Sequence, residues 1–379
     1  MFRRGPDAKD VGQRLAFLLL RMKGASSKQA KTDDRFVAEV TFHPKAPPAK
    51  LVVNADAELS VKAQTSTLGP GYHAMVLAKL EPVLDELDFV WAEPEPDPGP
   101  AMCKWLASVI DRSSGADDQV LIGLSDARTF ICDAPVLTAL GPRDEAWRAA
   151  VLADPLRAAD AFPWWNAGRG YADLANALIA MWQDVPWREP LDDTEVELME
   201  RVDLELAAAK AAGITELPYP EWSEILGWLG RDDKAALEVR KLAGDKPATI
   251  GYRRLDMEIA LSGGWIVQVP AAFSGRWDEE DGRYVASDGE RALEFTSLTA
   301  EEESDSAKLL AVAPESHQVI DRFTDGDRCG RAETSDDDYL HIVHGLVAQA
   351  PHVAIVTLKG KKSDEPWALK TWRSLRRES

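Results

Sequence analysis

Apolar and polar residues alternate along the first part of the chain as they do in a β-strand. In the segment Phe36–Phe42 every second residue is apolar, so these residues share one face of a predicted strand. After a turn at Gly69, apolar residues recur at helical spacing and predict a helix over residues 72–87. Strands and helices are mixed in this way as far as residue 140. We therefore expect residues 36–140 to form an α+β domain.

The N-terminal segment also repeats its apolar residues at helical spacing. Residues 8–23 predict an amphipathic helix, and the small polar residues at 25–35 predict a linker. The apolar run Leu15–Leu20 has only six residues, whereas a helix that spans a bilayer needs about 20. A signal peptide also needs a longer unbroken run. Residues 1–35 are thus expected to be a helix and a linker, without membrane association.

The hydrophobic pattern becomes helical throughout residues 141–248. The clearest predicted helix covers residues 194–212. Asp193 suits the N-cap position of this helix, and Gly213 suits the residue that follows its C-terminus. Glutamates in the first turn are favoured by the helix dipole. We expect this section to be a helical domain.

Strand patterns return in residues 249–379, where turns such as Asp-Gly separate short apolar runs. A last helix is predicted over residues 364–375, packed across a curled antiparallel sheet. This order of elements resembles the PsbP-like fold, with Gly264–Pro270 as an early strand of the sheet. The resemblance covers about the last 130 residues and implies a fold but no activity. The sequence predicts an α+β protein with four parts: residues 1–35, 36–140, 141–248 and 249–379.

Composition narrows the class of protein. The 379 residues include 64 acidic and 44 basic side chains, and the resulting net charge of −20 repels nucleic acid and anionic membranes. The three cysteines fit no zinc or disulfide pattern, so we expect reduced thiols in a cytoplasmic protein. Thirteen tryptophans predict a sizeable core or aromatic binding surfaces.

Common catalytic motifs are missing from the sequence. The chain has no G-x-S-x-G, H-E-x-x-H or C-x-x-C pattern. Whether the protein is an enzyme is therefore uncertain, and a role without catalysis is the stronger expectation. No cofactor is predicted.

Residues 65–73 join a predicted strand to a predicted helix and are rich in hydroxyl groups and glycines. Thr65, Thr67 and His73 are the candidate catalytic residues, because the dipole of the helix disfavours the charged form of His73 and suits it to act as a base. The segment matches neither the P-loop nor the dinucleotide-binding fingerprint. A strand-to-helix turn capped by a hydroxyl explains the same residues, and we prefer this interpretation.

His341, His344 and Asp338 are the candidate metal ligands. On a helix the two histidines would share a face with the aspartate, as a divalent metal site requires. The apolar residues around them favour a strand instead, in which the two histidines point to opposite faces. We therefore predict hydrated surface residues here, and no metal.

Aromatic residues form the candidate binding surface. Phe162, Trp164 and Trp165 lie in a predicted loop, and Trp277 begins an acidic hairpin turn. If the loop residues are exposed they could grip a partner or stack against a sugar. If they are buried they hold the helical section to its neighbours, which is the interpretation we favour.

Charge, tryptophan content and missing catalytic motifs together predict a binding function. We expect a bacterial cytoplasmic protein that binds a protein partner, in concrete terms an immunity or adaptor protein for a basic partner such as a nuclease-type toxin. One alternative is a hydrolase-like enzyme whose site is assembled from residues distant in sequence. Another is a structural subunit of a larger assembly. The oligomeric state stays open.

Overall fold

A computed structural model describes residues 8–32, 35–91, 97–113, 119–124, 129–300, 305–337 and 339–378. The protein is of the mixed α+β class, as its sequence predicts. Contacts between residues divide the chain into two compact units that interleave along the sequence. The first unit comprises residues 1–125, 134–182 and 201–218, and the second comprises residues 126–133, 183–200 and 219–379.

The first unit begins with a helix and a four-stranded antiparallel sheet. The elements are α1 (Ala8–Arg21), β1 (Ser26–Thr32), β2 (Arg35–Thr41), β3 (Ala49–Val53), β4 (Leu59–Lys62) and α2 (Pro70–Glu86). The strands lie in chain order. Ala38 of β2 and Leu51 of β3 are fully buried in one core with Leu15 of α1. The predicted alternation in β2 and the amphipathic α1 are thereby confirmed.

The interpretation of residues 25–35 as a linker is wrong for residues 26–32. These polar residues form β1, which pairs along its whole length with β2. Local composition misleads here because an edge strand whose side chains face solvent gains its stability from the backbone ladder and needs few apolar residues.

A second core of the first unit forms around short strands and helices. The elements that follow in the chain are α3 (Pro98–Arg112), β5 (Val120–Ile122), β6 (Thr129–Ile131), β7 (Val136–Thr138), β8 (Gly141–Arg143), α4 (Glu145–Ala153) and α5 (Arg169–Gln183). Of these, β6 belongs to the second unit. β7 lies between β5, which is parallel to it, and β8. Leu106 and Ile110 of α3 are buried in this core with Phe162.

Three more helices follow, in agreement with the helical pattern of the sequence: α6 (Asp193–Ala211), α7 (Tyr219–Trp228) and α8 (Lys234–Ala243). Gly213 has φ 91°, a left-handed conformation that suits glycine after a helix. The predicted cap at Asp193 is displaced by one residue. The carboxylate of Asp192 accepts the N–H of Glu195 at 2.9 Å, so Asp192 caps the helix.

The second unit contains two sheets. Its elements include β9 (Asp256–Ala260), β10 (Trp265–Pro270), β11 (Ser274–Asp278), β12 (Arg283–Ser287), β13 (Ala292–Thr299), α9 (Ser306–Val312), β14 (Gln318–Asp325), β15 (Arg328–Asp336), β16 (His341–Gln349), β17 (His352–Gly360), α10 (Glu365–Ser374) and β18 (Arg376–Arg377). The larger sheet has the order β11-β12-β13-β17-β16-β15-β14 and is antiparallel throughout. The smaller sheet has the order β18-β10-β9-β6.

The predicted arrangement of a sheet with a helix packed across it is present in the second unit. Helix α10 lies on the larger sheet, and its Trp372 is fully buried there. The segment Gly264–Pro270, however, belongs to the smaller sheet, because β10 pairs with β9 and β18. In the described ranges of the chain, no helix is both long enough and apolar enough to cross a bilayer.

Candidate functional site

A cleft of about 820 Å³ opens beside α2 in the first unit. It is lined by residues from the segments 47–50, 61–65 and 73–80, and by Trp91. We call it the α2 cleft. It lies where β3 and β4 end their pairing, since Lys50 and Lys62 form the last pair of their ladder. Its volume is in the range of pockets that hold small organic molecules.

The floor of the α2 cleft is apolar. Val76, Leu77 and Leu80 line it from the helix, and Val61 lines it from the edge strand β4. Val76 and Leu80 are almost fully buried, and their spacing of four residues places them on one face of α2. The helical periodicity that predicts α2 therefore also places these apolar residues on the floor of the cleft.

Thr65 and His73 meet in the wall of the α2 cleft. The hydroxyl oxygen of Thr65 lies 3.0 Å from Nδ1 of His73, and Thr65 is buried. A threonine hydroxyl donates to Nδ1 in one imidazole tautomer and accepts from it in the other. The sequence singled out both residues, and the structure brings them together. Thr67 does not line the cleft.

Two lysines also line the α2 cleft. Lys50 and Lys62 are directly opposite each other on β3 and β4, and both side chains are exposed. Glu39 of β2 faces Lys50 from the other side and is itself opposite Lys28 of β1. Across the described part of the chain, the side chain of neither Lys50 nor Lys62 makes a salt bridge or hydrogen bond. Lys50 and Lys62 alternate with Leu51 and Val61, so their side chains leave the hairpin on the face opposite the apolar floor and border the cleft from its rim. Like charges directly opposite repel each other, and Glu39 beside Lys50 offsets part of this repulsion.

The sequence analysis missed both lysines. Twelve positions separate Lys50 from Lys62, and only the register of the β3–β4 hairpin places them together. The alternation of Lys50, Val52 and the polar residues of β4 could have indicated the shared face, but not their exact pairing.

A second chamber of about 280 Å³ adjoins the start of α2. Its lining includes Trp165, Pro70, Pro98 and Ala74, and His73 and Leu77 line both this chamber and the α2 cleft. We call it the Trp165 chamber.

The aromatic loop is held in place at the Trp165 chamber by the backbone. Trp164 accepts the N–H of Gly71 and donates its own N–H to Leu68, each at 2.9 Å. Phe162 and Trp164 are 3% and 5% exposed and belong to the core. Of the three aromatic candidates in this loop, Trp165 lines the Trp165 chamber, whereas Phe162 and Trp164 line neither this chamber nor the α2 cleft. A partner surface made of all three is therefore incompatible with this structure, because two of them are in the core.

A buried polar network in the first unit was not anticipated. Lys45 donates its backbone N–H to Nδ1 of His43, which leaves Nε2 to donate to the Asn176 amide oxygen at 3.0 Å. Asn176 in turn hydrogen-bonds Glu205. Burial and the nearby Asp173 carboxylate raise the pKa of Glu205 to about 7, against the opposing effects of Arg201 and of the hydrogen bond to Asn176. Oε2 of Glu205 is buried and has no hydrogen-bond partner among the described residues.

His341, which the sequence analysis expects at the hydrated surface, is instead buried and lies between two carboxylates in the second unit. Its Nδ1 is 2.7 Å from Asp336 and its Nε2 is 2.9 Å from Glu365, whereas Lys362 also pairs with Glu365 at 2.8 Å. The hydrogen bond from His341 lowers the pKa of Asp336, and Lys362 and then His341 lower the pKa of Glu365. The site ties the ends of β15 and β16 to the start of α10.

The two histidines of the metal hypothesis do not converge. Both are in β16 and three residues apart, so they point to opposite faces of the sheet. His344 instead stacks on His317, with ring centroids 4.8 Å apart. Asp338 lies outside the described residues. Within the described ranges, no group of three or more histidine, cysteine or acidic side chains is placed to hold a metal ion.

Trp277 is 47% exposed on the edge strand β11. Its ring packs edge-on against Tyr284 of β12, with centroids 6.0 Å apart. This aromatic pair remains accessible to a partner, unlike Phe162 and Trp164.

Comparison with known proteins does not assign this chain to a family. A scan against models of protein families gives no match, and a search of curated proteins gives none either.

Proposed function

We propose that this chain is a binding protein whose α2 cleft takes an organic anion with an apolar body. The apolar floor would hold the body of the ligand, and Lys50 and Lys62 would hold its carboxylate or other acidic group. Thr65 and His73 add a hydroxyl and an imidazole in the same wall, which could orient polar atoms of the ligand.

The Lys50–Lys62 pair is the observation that carries this proposal. The protein has a net charge of −20, and its acidic residues far outnumber its basic ones. Lys50 and Lys62 face each other at the rim of a cavity, and their side chains form no ion pair among the described residues, so they provide positive charge for an anion there. Electrostatic attraction to an anion is strongest where such charges adjoin a wall of low dielectric constant.

The experiment is isothermal titration calorimetry with decanoate, and with decanol and decylamine as probes of the same chain length. Decanoate should bind with saturation, and decylamine should not. Replacing both lysines by glutamine (Lys50→Gln with Lys62→Gln) should weaken decanoate binding by about tenfold or more, since charged hydrogen bonds contribute about 1.5–3 kcal/mol each.

Lys104→Gln is the matched control, because Lys104 is an exposed lysine of α3 that does not line the cleft. It should leave the affinity for decanoate unchanged. Equal binding of decanol and decanoate, or a double variant that binds like the wild type, contradicts the proposal. The two lysines would then only protect the edge of the sheet from pairing with other chains.

A second candidate is the binding of a basic protein partner by an acidic cytoplasmic protein. The exposed Trp277 on an edge strand supports it, since tryptophans at the centre of an interface contribute much of its binding energy. Three free cysteines are compatible with a reducing compartment. The test is an affinity pull-down at low and high salt with the wild type and Trp277→Ala. A stoichiometric basic partner, lost at high salt and lost from the variant, is the expected result. Retention by the variant would contradict a role for this face.

A further inference from the structure

We propose that the Trp165 chamber extends the α2 cleft and selects ligands whose end opposite the acid carries a flat aromatic group. This inference rests on the proposed function and names the class of ligand, an aryl-terminated organic acid.

Two shared side chains make the chamber a continuation of the cleft. His73 and Leu77 line both cavities, so nothing thicker than this pair of side chains separates them along α2. The lining residues from α2 run from Pro70 to Leu80. Ten residues of helix at 1.5 Å per residue give a length of about 15 Å. A ligand that reaches both cavities is therefore an extended molecule.

The walls of the Trp165 chamber suit a flat ring. Trp165 supplies an indole, and Pro70 and Pro98 supply two pyrrolidine rings. Ala74 and Ala167 are small and leave the space open. The chamber of about 280 Å³ exceeds the roughly 150 Å³ that suffices for benzene in an apolar protein cavity. Ring-on-ring contact with the indole adds to the burial of apolar area.

Charge sets the direction in which the ligand lies. Asp97 is in the lining of the Trp165 chamber, where its carboxylate accepts the N–H of Gly99 at 3.1 Å. A negative charge at this end repels an acid group, whereas Lys50 and Lys62 attract it at the other end. The acid of the ligand therefore lies at the lysines and its uncharged ring lies at Trp165.

The test compares three acids by calorimetry: octanoate, octanoate with a phenyl group at its far end, and octanoate with a cyclohexyl group there. The phenyl acid should bind about tenfold more tightly than octanoate and several-fold more tightly than the cyclohexyl acid, which is of similar size but not flat. Trp165→Leu should remove the preference for phenyl over cyclohexyl.

Ala74→Leu fills the chamber and should abolish the gain from the phenyl group while octanoate binds as before. Ala78→Leu is the matched control, because Ala78 is exposed one turn further along α2 and lines neither cavity. It should retain the gain.

The outcomes separate this inference from the proposed function. If octanoate binds through the lysines but the phenyl group adds nothing, or Ala74→Leu leaves its gain intact, the chamber is not part of the site and the inference is overturned alone. If none of the acids binds, the inference and the proposed function are both overturned.

Discussion

The indole of Trp372 lies directly against Gly345, so closely that a Cβ atom on this glycine would overlap Cδ1 of the indole. Trp372 belongs to α10 and Gly345 to the central part of β16, and the indole N–H donates to the carbonyl of Leu346 at 3.2 Å. Gly330 of β15 makes a similar space beside the same ring. The glycines thus allow α10 to seat a fully buried tryptophan on the sheet.

Replacing this glycine should destabilise the second unit. We expect Gly345→Ala to lower the free energy of unfolding by about 1–3 kcal/mol, because the added methyl group has no room. Gly227→Ala is the control, since Gly227 is in α7 with open space around it. That change should be neutral or stabilising by up to about 1 kcal/mol. Urea denaturation checks both, and equal midpoints for the two variants would contradict the packing argument.

The buried ion pair between Arg188 and Glu195 gives a second prediction. Arg188 holds Glu195 with two hydrogen bonds, Ser274 and the N–H of Leu191 add two more, and these bonds lower the pKa of Glu195 to about 2 against the opposing effect of its burial. Glu195→Gln should cost about 3–5 kcal/mol of stability at pH 7, because Arg188 is left buried without its partner.

The pH dependence of this pair follows from the direction in which the pKa of Glu195 is shifted. A carboxyl whose pKa is lower in the folded than in the unfolded protein stabilises the fold above its unfolded pKa. That contribution should disappear as the pH falls from about 4.5 towards 2. Glu290→Gln, which breaks an exposed pair with Lys361, should change stability by at most about 1 kcal/mol. Chemical denaturation at several pH values measures the stability of both variants. A loss of stability in Glu195→Gln as small as that in Glu290→Gln would refute the prediction.

Glu205 should show the opposite dependence on pH. Its pKa of about 7 is above the ordinary value of 4.5, so the folded protein holds this proton more tightly than the unfolded chain. Stability from this group is complete below about pH 4.5 and is lost as the pH rises through 7. Glu205→Gln keeps a neutral side chain at every pH. It should therefore stabilise the protein at pH 8 by about 1–2 kcal/mol and have little effect at pH 4.

The control for Glu205 is Glu200→Gln, at an exposed position of the same helix. Thermal unfolding from pH 4 to pH 8 compares the two variants with the wild type. If Glu205→Gln is no more stable than the wild type at pH 8, this carboxyl is not a buried acid of raised pKa.

The contacts of His341 should affect the pKa values of the Asp336 and Glu365 carboxyl groups. His341→Gln removes the ring that hydrogen-bonds Asp336 and Glu365, so the pKa of each should rise towards its ordinary value. The wild type should lose stability as the pH falls through these lowered pKa values, and the variant should lose less. Carbon-13 NMR of the carboxyl groups measures the shift. His352→Gln, on the neighbouring strand β17, should leave both titrations unchanged, and the same absence of change in His341→Gln would contradict the assigned contacts.

Short-range pattern predicts the elements of this protein well. The apolar alternation of β2 and the helical spacing of α1 and α2 are local, and the structure agrees with them. The pattern fails at β1, because a strand of polar residues at a sheet edge is stabilised by its neighbour and carries no signal of its own. It predicts a strand at Gly264–Pro270 but not the sheet to which this strand belongs, since which strands share a sheet is decided by pairing between distant segments.

The candidate site shows the same limit. Hydroxyls and a histidine at the start of a helix are visible in the sequence, and Thr65 and His73 do meet. The importance of Lys50 and Lys62 depends on hairpin register, and the position of the half-buried Trp165 beside two buried aromatics depends on how the loop packs.

The sequence by itself determined the α+β class, the helical middle section and the strong negative charge, because these follow from local periodicity and from counting side chains. Only the tertiary structure decided which charged residues face each other and which aromatic residues border a cavity. Those properties depend on contacts between segments far apart in the chain, and neighbouring residues along the sequence contain too little information to specify them.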